Sequence, residues 1–350
     1  MLISTLSFLV VIGICVISHE FGHYITAKWN GIQVHEFSFG MGPCLYQRRI
    51  GTTVWSLRVI PIGGFVRLAG MGEEKDNEQV LPGMDFMGKP AWRRFIVLAS
   101  GSVTNIMVAI LLTAFLLSTH GVLDLNSAKI GNVLKGYPAE KYGLERGDVI
   151  LAVGDKPVHD WKEMSQAIKK SGETPGPVKI KVKKVNGEVR VIFAEIPLDP
   201  EYGYPLLGIQ PSRVTYNPLS ATLKSVSYIW NFSVQILEGI VRRISGSSGI
   251  SVTGPLGIAS MAGEAAKEGL WSFLSFLALI NLHLGILNLF PFPALDGGRL
   301  ALVVAEMIFR RRIPEKWEQY IHFIGFILLL SLLAAVTWKD LVKILTREGN

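Results

Sequence analysis

Cysteine is nearly missing from this sequence: Cys15 and Cys44 are the two in 350 residues, which excludes a disulfide framework and a cysteine-based zinc knuckle. Charge is also scarce, at 18% Asp, Glu, Lys and Arg, and it is missing in blocks. No charged side chain falls in Leu2 to Ser18, Phe95 to Thr119, Leu270 to Phe290 or Ile321 to Trp338. The net charge of +7 is spread out, without the basic stripe interleaved with aromatics that nucleic acid requires, so no nucleic-acid partner is expected and anionic lipid headgroups suit the charge better. The extreme N-terminus has neither a basic segment nor a small-residue cleavage site, and the first apolar run reads as a retained transmembrane helix, not a signal peptide.

What the sequence does have is apolar residues, 49% of the total, with a mean hydropathy of +0.36. Runs of this length predict spanning helices. The fold class expected is a polytopic α-helical membrane protein with four transmembrane helices, a membrane-associated β-hairpin region and one soluble α+β domain. Its segments are a first span at 1–28, a hairpin and loop region at 29–94, a second span at 95–119 and a soluble domain at 120–213. An amphipathic helix and a Gly254-Pro255-Leu256-Gly257 turn follow at 214–269, then a third span at 270–298, a helix or loop at 299–320, and a fourth span with tail at 321–350. In the hairpin region, Ile32 to Phe39, Thr52 to Ile60 and Phe65 to Leu68 read as strands, and Glu73 to Glu78 as an acidic, mobile loop. Pro218 to Ser245 reads either as a helix lying on the membrane, rather than crossing it, or as a soluble linker helix.

Chemistry enters at His19-Glu20-Phe21-Gly22-His23. A helix rising about 1.5 Å per residue puts His19 roughly 25 Å along the first span, inside a hydrocarbon core about 30 Å thick. Ionisable groups at that depth are costly, and a functional reading is the default. His19 and His23, four apart, project from one helix face and can share a zinc ion. Glu20, about 100° round, can hold the water and take its proton.

Catalytic zinc usually keeps three protein ligands. The extended HExxHxxGxxH pattern needs a histidine at position 29, which is Trp29; His35 and Glu36 fall in the strand-like region. Asp296, in Asn288-Leu289-Phe290-Pro291-Phe292-Pro293-Ala294-Leu295-Asp296-Gly297-Gly298, is the candidate. It reads either as the third ligand or as the N-cap of a helix starting at Arg299. Two prolines break the third span, Gly297-Gly298 let backbone approach a metal centre, and Asn288 can donate to a substrate carbonyl or oxyanion. Asn105 reads either as interhelical glue or as part of the site. Asn281 and His283 read as interhelical hydrogen bonders.

Within 120–213, the stretch Tyr137 to Ile150 with its GLxxGDVI pattern, an amphipathic helix at Asp160 to Lys170 and a hairpin around Asn186-Gly187 resemble a circularly permuted bacterial PDZ domain. The resemblance implies a peptide groove at Leu206, Leu207, Gly208 and Ile209. HExxH closing a first span, PxGGFV after it, the PDZ-like domain, GPxGIA and NxxPxPxxDGG together resemble the site-2 protease family of intramembrane zinc metalloproteases, the bacterial type of sigma-factor regulation. That resemblance covers nearly the whole chain. It implies zinc on His19, His23 and Asp296, Glu20 as catalytic acid/base, Asn288 as a substrate-positioning residue, and Gly63, Gly64 and Phe65 in a loop seating an unwound substrate strand. Before Asn105 the family has Gly-Pro where this chain has Gly101-Ser102.

The expected activity is hydrolysis of pre-trimmed single-pass substrates, such as anti-sigma factors or signal-peptide remnants, within the lipid bilayer of a bacterial inner membrane. The alternative is a non-catalytic PDZ membrane scaffold. Trp29 to Arg94 holds eight Lys or Arg and Arg299 to Tyr320 five, which puts both loops in the cytoplasm and the N-terminus and PDZ-like domain outside.

Overall fold

The computed structural model describes residues 2–71, 79–172, 176–199, 203–244, 253–312 and 314–347; the acidic stretch Glu73 to Glu78 lies outside them. In chain order the elements are α1 (Leu2–Trp29), β1 (Val34–Ile50), β2 (Thr53–Leu68), α2 (Ala91–Thr119), β3 (Val122–Leu123), β4 (Ile130–Val133), α3 (Pro138–Lys141), β5 (Val149–Val153), β6 (Lys156–Pro157), α4 (Trp161–Gly172), β7 (Val178–Lys183), β8 (Val189–Ala194), β9 (Ile209–Pro211), β10 (Arg213–Val214), α5 (Pro218–Ile244), α6 (Pro255–Glu268), α7 (Leu270–Asn288), α8 (Asp296–Phe309) and α9 (Glu315–Arg347). Helices α1, α2, α7 and most of α9 are long and apolar enough to cross a membrane. Their outward faces are apolar, with Leu6, Val10, Met107, Leu111, Phe323 and Leu330 exposed, as a multi-pass membrane protein presents to lipid. The chain divides into two compact units, one of residues 1–116 with 222–350, the other of 117–221.

In the first unit, α1 is the central element. Val11 and Cys15 pack with Ala262, Ala265, Phe276 and Leu277 of α6 and α7, and Gly263 of α6 lies so close to Ser4 that any side chain there would collide with it. The turn expected at Gly254 to Gly257 is instead the start of α6: Gly254 is an extended N-cap and Pro255 the first helical residue. Proline is tolerated there because the first N–H groups of a helix have no intrahelical acceptor. Asp340 of α9 accepts the Gly257 N–H at 2.9 Å. Helix α5 packs through its middle on two other helices. Ile229 and Ile236 join Ala109 of α2 and Leu282 and Ile286 of α7 in one cluster, so its middle lies against two spans.

The three expected strands merge into one hairpin folded back on itself. Residues 36–39 face 64–67, from Glu36↔Arg67 to Phe39↔Gly64, and also 54–57; residues 53–58 in turn pair with 44–50. Segment 64–68 is therefore an edge. Buried Glu36 holds the layers together, accepting from Ser56 Oγ at 2.7 Å and Arg58 Nη2 at 2.5 Å, with Arg67 Nη2 at 3.4 Å; it is committed there and cannot serve a metal. Tyr24, next to His23, stacks edge-on against Phe37 and Trp55 with centroids 5.6 and 5.1 Å away, docking the end of α1 on the sheet. Aromatic pairs of this kind each contribute about 0.5–1.5 kcal/mol. At the base of α2, buried Arg94 pairs with Glu306 of α8 at 2.5 Å, anchoring the far end of the helix that begins at Asp296.

The second unit carries a sheet of order β6-β5-β7-β8 and the pairs β4-β9 and β3-β10. The β7–β8 hairpin turns at Gly187, φ +88, where the Asn-Gly pair predicts it. Ile130, Ile150, Met164, Ile180, Val182 and Leu207 form its core. Asp148 is fully buried and accepts from Lys184 Nζ and from the Glu145 N–H, both at 2.9 Å. Burial disfavours the Lys184 charge, but the hydrogen bond and negative charge of Asp148 outweigh that and raise its pKa. The pair's stabilisation is then complete below the ordinary lysine value of about 10.4 and fades as pH rises through the raised folded value. Asp148→Ala is expected to destabilise this unit by about 3 kcal/mol at neutral pH, read as lost amide-exchange protection of β5 and β7 in the full chain. The gap from wild type should narrow, without closing, as pH rises through the lysine range, because the Glu145 N–H bond to Asp148 does not titrate; unchanged protection at pH 7 would rule the pair out as a stabilising element.

Candidate metal and catalytic centre

Helix α1 reaches His19 and His23 without a break, so their rings stand on one face, centroids 4.7 Å apart and nearly perpendicular. Their Nε2 atoms are 3.1 Å apart. Asp296 Oδ2 lies 2.8 Å from His19 Nε2 and 3.2 Å from His23 Nε2. These three donors, all within 4.8 Å of one another, form a group able to hold a metal ion. Ligands about 2.0–2.1 Å from a tetrahedral zinc stand about 3.3 Å apart, and the donor set nearly matches that spacing. His23 Nδ1 is 2.7 Å from the Val97 carbonyl. Donating there puts the ring proton on Nδ1 and leaves the Nε2 lone pair for a metal.

Asp296 resolves the two readings of its position. It is the first residue of α8, the N-cap being Leu295, which makes no side-chain cap, and its carboxylate goes to the histidines. The glycines after it serve the loop and not the metal. A Cβ on Gly297 would collide with the Phe290 carbonyl, and one on Gly298 would sit 2.6 Å from that of Phe292. The helix therefore resumes at Asp296, three residues earlier than expected.

Helix α2 contributes what sequence reasoning missed. Val97, Gly101 and Asn105 recur every fourth residue and face the site. A Cβ on Gly101 would sit 2.7 Å from His19 Cε1 and 2.8 Å from its Nε2, and closer still to His23 Nε2. On α1, a Cβ on Gly22 would lie 2.5 Å from the Ser100 carbonyl. Two glycines thus let the helices touch at the donor set, a small-residue crossing of the kind membrane helices use. The one available signal was a glycine a single turn before Asn105. Asn105 itself is buried; the Ser18 hydroxyl donates to its Oδ1 at 2.7 Å and stands 3.3 Å from Asn281 Oδ1. His283 bonds within its own helix, 2.8 Å from the Leu279 carbonyl.

A cavity opens at the donor set, lined by Cys15, His19, Glu20, Asn105, Asn288 and Asp296 together with Gly63 and Gly64. Glu20 points to the sheet and accepts a hydrogen bond from the Val66 backbone N–H, and a Cβ on Gly64 would be 3.5 Å from its Cγ. The structure thus brings Glu20, Asn288, Gly63 and Gly64 to the donors. Phe65 is not among the lining residues; its ring lies under Arg58, 5.0 Å from the guanidinium carbon. In the second unit, Leu207 is a core residue with 2% exposure. Gly208 has φ +81, and its carbonyl accepts from the Leu134 N–H at 2.8 Å. Leu206 and Ile209 are partly exposed beside β9.

The family model described as "Peptidase family M50" matches residues 7–332. A Clostridium perfringens protein named as a candidate zinc metalloprotease is 32% identical over 332 residues, 93% of this chain and 95% of its own length. One from Fusobacterium nucleatum, named likewise, is 33% identical, covering 96% of this chain and 97% of itself. A third, from Campylobacter jejuni, is 29% identical across 98% of this chain and 94% of itself. Zinc suits the donor set chemically, two imidazole nitrogens and one carboxylate oxygen. Gly101→Ala is expected to abolish zinc retention with helix content unchanged, whereas Gly13→Ala, whose Cβ would meet Phe39 at an ordinary 3.8 Å, should keep the metal. Equal zinc content in the two purified variants would contradict the crowding argument.

Proposed function

The chain belongs to peptidase family M50, the site-2 protease family of zinc-dependent metalloproteases, and on that premise we propose that it is an endopeptidase that cuts peptide bonds within the membrane. The observation that carries this is one cavity in which donors from α1 and α8 meet Glu20, Asn288 and the glycine edge of β2. His19, His23 and Asp296 would hold the metal. Bound zinc supplies Lewis acidity, polarising a carbonyl and making water more acidic. Glu20 takes the proton of the attacking water and delivers it to the leaving amine. Its hydrogen bond from Val66 holds the carboxylate in place between those two transfers. Asn288 donates its amide to the substrate carbonyl oxygen, where negative charge develops.

A helical substrate has no free carbonyl to offer, so its segment must unwind. The edge at 64–68, whose Val66 N–H is held by Glu20, offers its remaining backbone to such a strand, and Gly63 and Gly64 let it come close. The second unit is a PDZ-like domain whose β9 and flanking Leu206, Gly208 and Ile209 offer the corresponding groove, with Leu207 beneath it as support. It restricts the site to single-pass proteins with little mass outside, anti-sigma factors or signal-peptide remnants already trimmed by another protease. The bacterial relatives and the basic loops support an inner-membrane location with the N-terminus and this domain outside. The scaffold alternative leaves the donor set and Glu20 without a role.

A model single-span substrate lacking an outer domain is expected to be cut by purified wild type and not by Glu20→Gln, with zinc quantified at one per chain in both. Cleavage by Glu20→Gln at the wild-type rate would remove Glu20 from the mechanism, and absence of zinc from both would overturn the protease reading.

A further inference from the structure

Asp296 reaches the donor set at the end of a short loop, and the conformation of that loop is unusual. Phe292 to Leu295 form a turn closed by the Leu295 N–H on the Phe292 carbonyl at 3.2 Å. Pro293 holds its second position and Ala294 its third, at φ +78. This is the type II pattern, whose third position normally goes to glycine or asparagine because other side chains crowd the backbone at positive φ. Type I and type II turns differ by a flip of the central peptide, here Pro293–Ala294, and the flip reverses the Ala294 N–H. An alanine left to itself favours type I.

The flipped form is held from α9. The Ala294 N–H donates to His322 Nδ1 at 3.1 Å. Three residues on, on the same face of α9, Gly325 is so close that a Cβ there would lie 2.6 Å from both the carbonyl carbon and the oxygen of Pro293. One side of α9 thus meets both ends of the central peptide. Nδ1 as acceptor requires the ring proton on Nε2, so neutral His322 in that tautomer fits the contact.

We infer that His322 is a positioning residue: it locks the Pro293–Ala294 peptide in the type II orientation and so keeps Asp296 on the histidines. Leu295 alone, in extended conformation, stands between Ala294 and the first helical residue Asp296, so loosening of the turn passes directly to the start of α8. The inference rests on Asp296 as a metal ligand.

The test times zinc loss to excess chelator from the full-length protein in detergent. His322→Phe is expected to release zinc roughly ten- to a hundredfold faster than wild type, the usual effect of removing a supporting partner. His322→Asn, whose Oδ1 can accept the same N–H, should stay within about threefold of wild type. The decisive variant adds Ala294→Gly to His322→Phe: glycine adopts positive φ unaided, so retention should return to within about threefold of wild type. Ala294→Val, with His322 intact, should lose zinc as His322→Phe does, and it keeps the test open if His322→Phe fails to fold. Wild-type retention in His322→Phe, or no recovery in the double variant, would overturn the lock and reduce His322 to packing. Retention by Asp296→Ala, or no zinc in wild type, would instead overturn the metal site and the lock with it.

Discussion

Everything in the first unit is arranged around three polar atoms, two imidazole nitrogens and a carboxylate oxygen, facing one another among apolar helices with separations of 2.8 to 3.2 Å. Without a cation, two of those donors would compete for the same carboxylate oxygen in a poorly solvated place. With one, each has a partner, and the electrostatic penalty of burying them turns into binding. The surrounding structure exists to hold that meeting point. Gly22 and Gly101 bring α1 and α2 into backbone contact, the Val97 carbonyl sets the tautomer of His23, and a strained turn aims Asp296.

The same solvent logic explains the other polar groups of the spans. The Ser18 hydroxyl of α1 donates to Asn105 of α2 and lies beside the Asn281 carbonyl oxygen of α7, a polar link between three apolar helices. Glu36 is matched by Arg58 and Arg67, and Arg94 by Glu306. Each pairing fixes an element that carries a site residue: the sheet edge beside Glu20 in one case, the two helices flanking the donor set in the other.

The spans, the HExxH face, the Asn-Gly hairpin and the candidacy of Asp296 were legible because each is a local pattern: an uncharged run, a four-residue spacing, a turn dipeptide, a carboxylate where lipid forbids one. What escaped is set by tertiary approach. Nothing local distinguishes Gly101 from any other glycine in an apolar helix until α1 is laid against it. The Gly254-Pro255 pair reads equally as a turn or as a helix start, and only the residues after it decide. The strands at 32–39, 52–60 and 65–68 were found as pieces, but their folding back into one layered hairpin depends on register between distant residues. Leu207 sits in the core of the second unit while its neighbour Leu206 is partly exposed, a division that an apolar pair in sequence does not announce. Ala294 and His322, 28 residues apart, meet through a backbone dihedral that no side-chain pattern announces.

The central claim is that zinc sits on His19, His23 and Asp296, and the cavity contains a rival donor, Cys15, one helical turn before His19. X-ray absorption at the zinc edge of the purified protein tests it most directly. One zinc per chain is expected, with only nitrogen and oxygen neighbours at about 2.0–2.1 Å and the scattering signature of two imidazoles. A sulfur neighbour at about 2.3 Å, or a zinc lacking the imidazole signature, would contradict it.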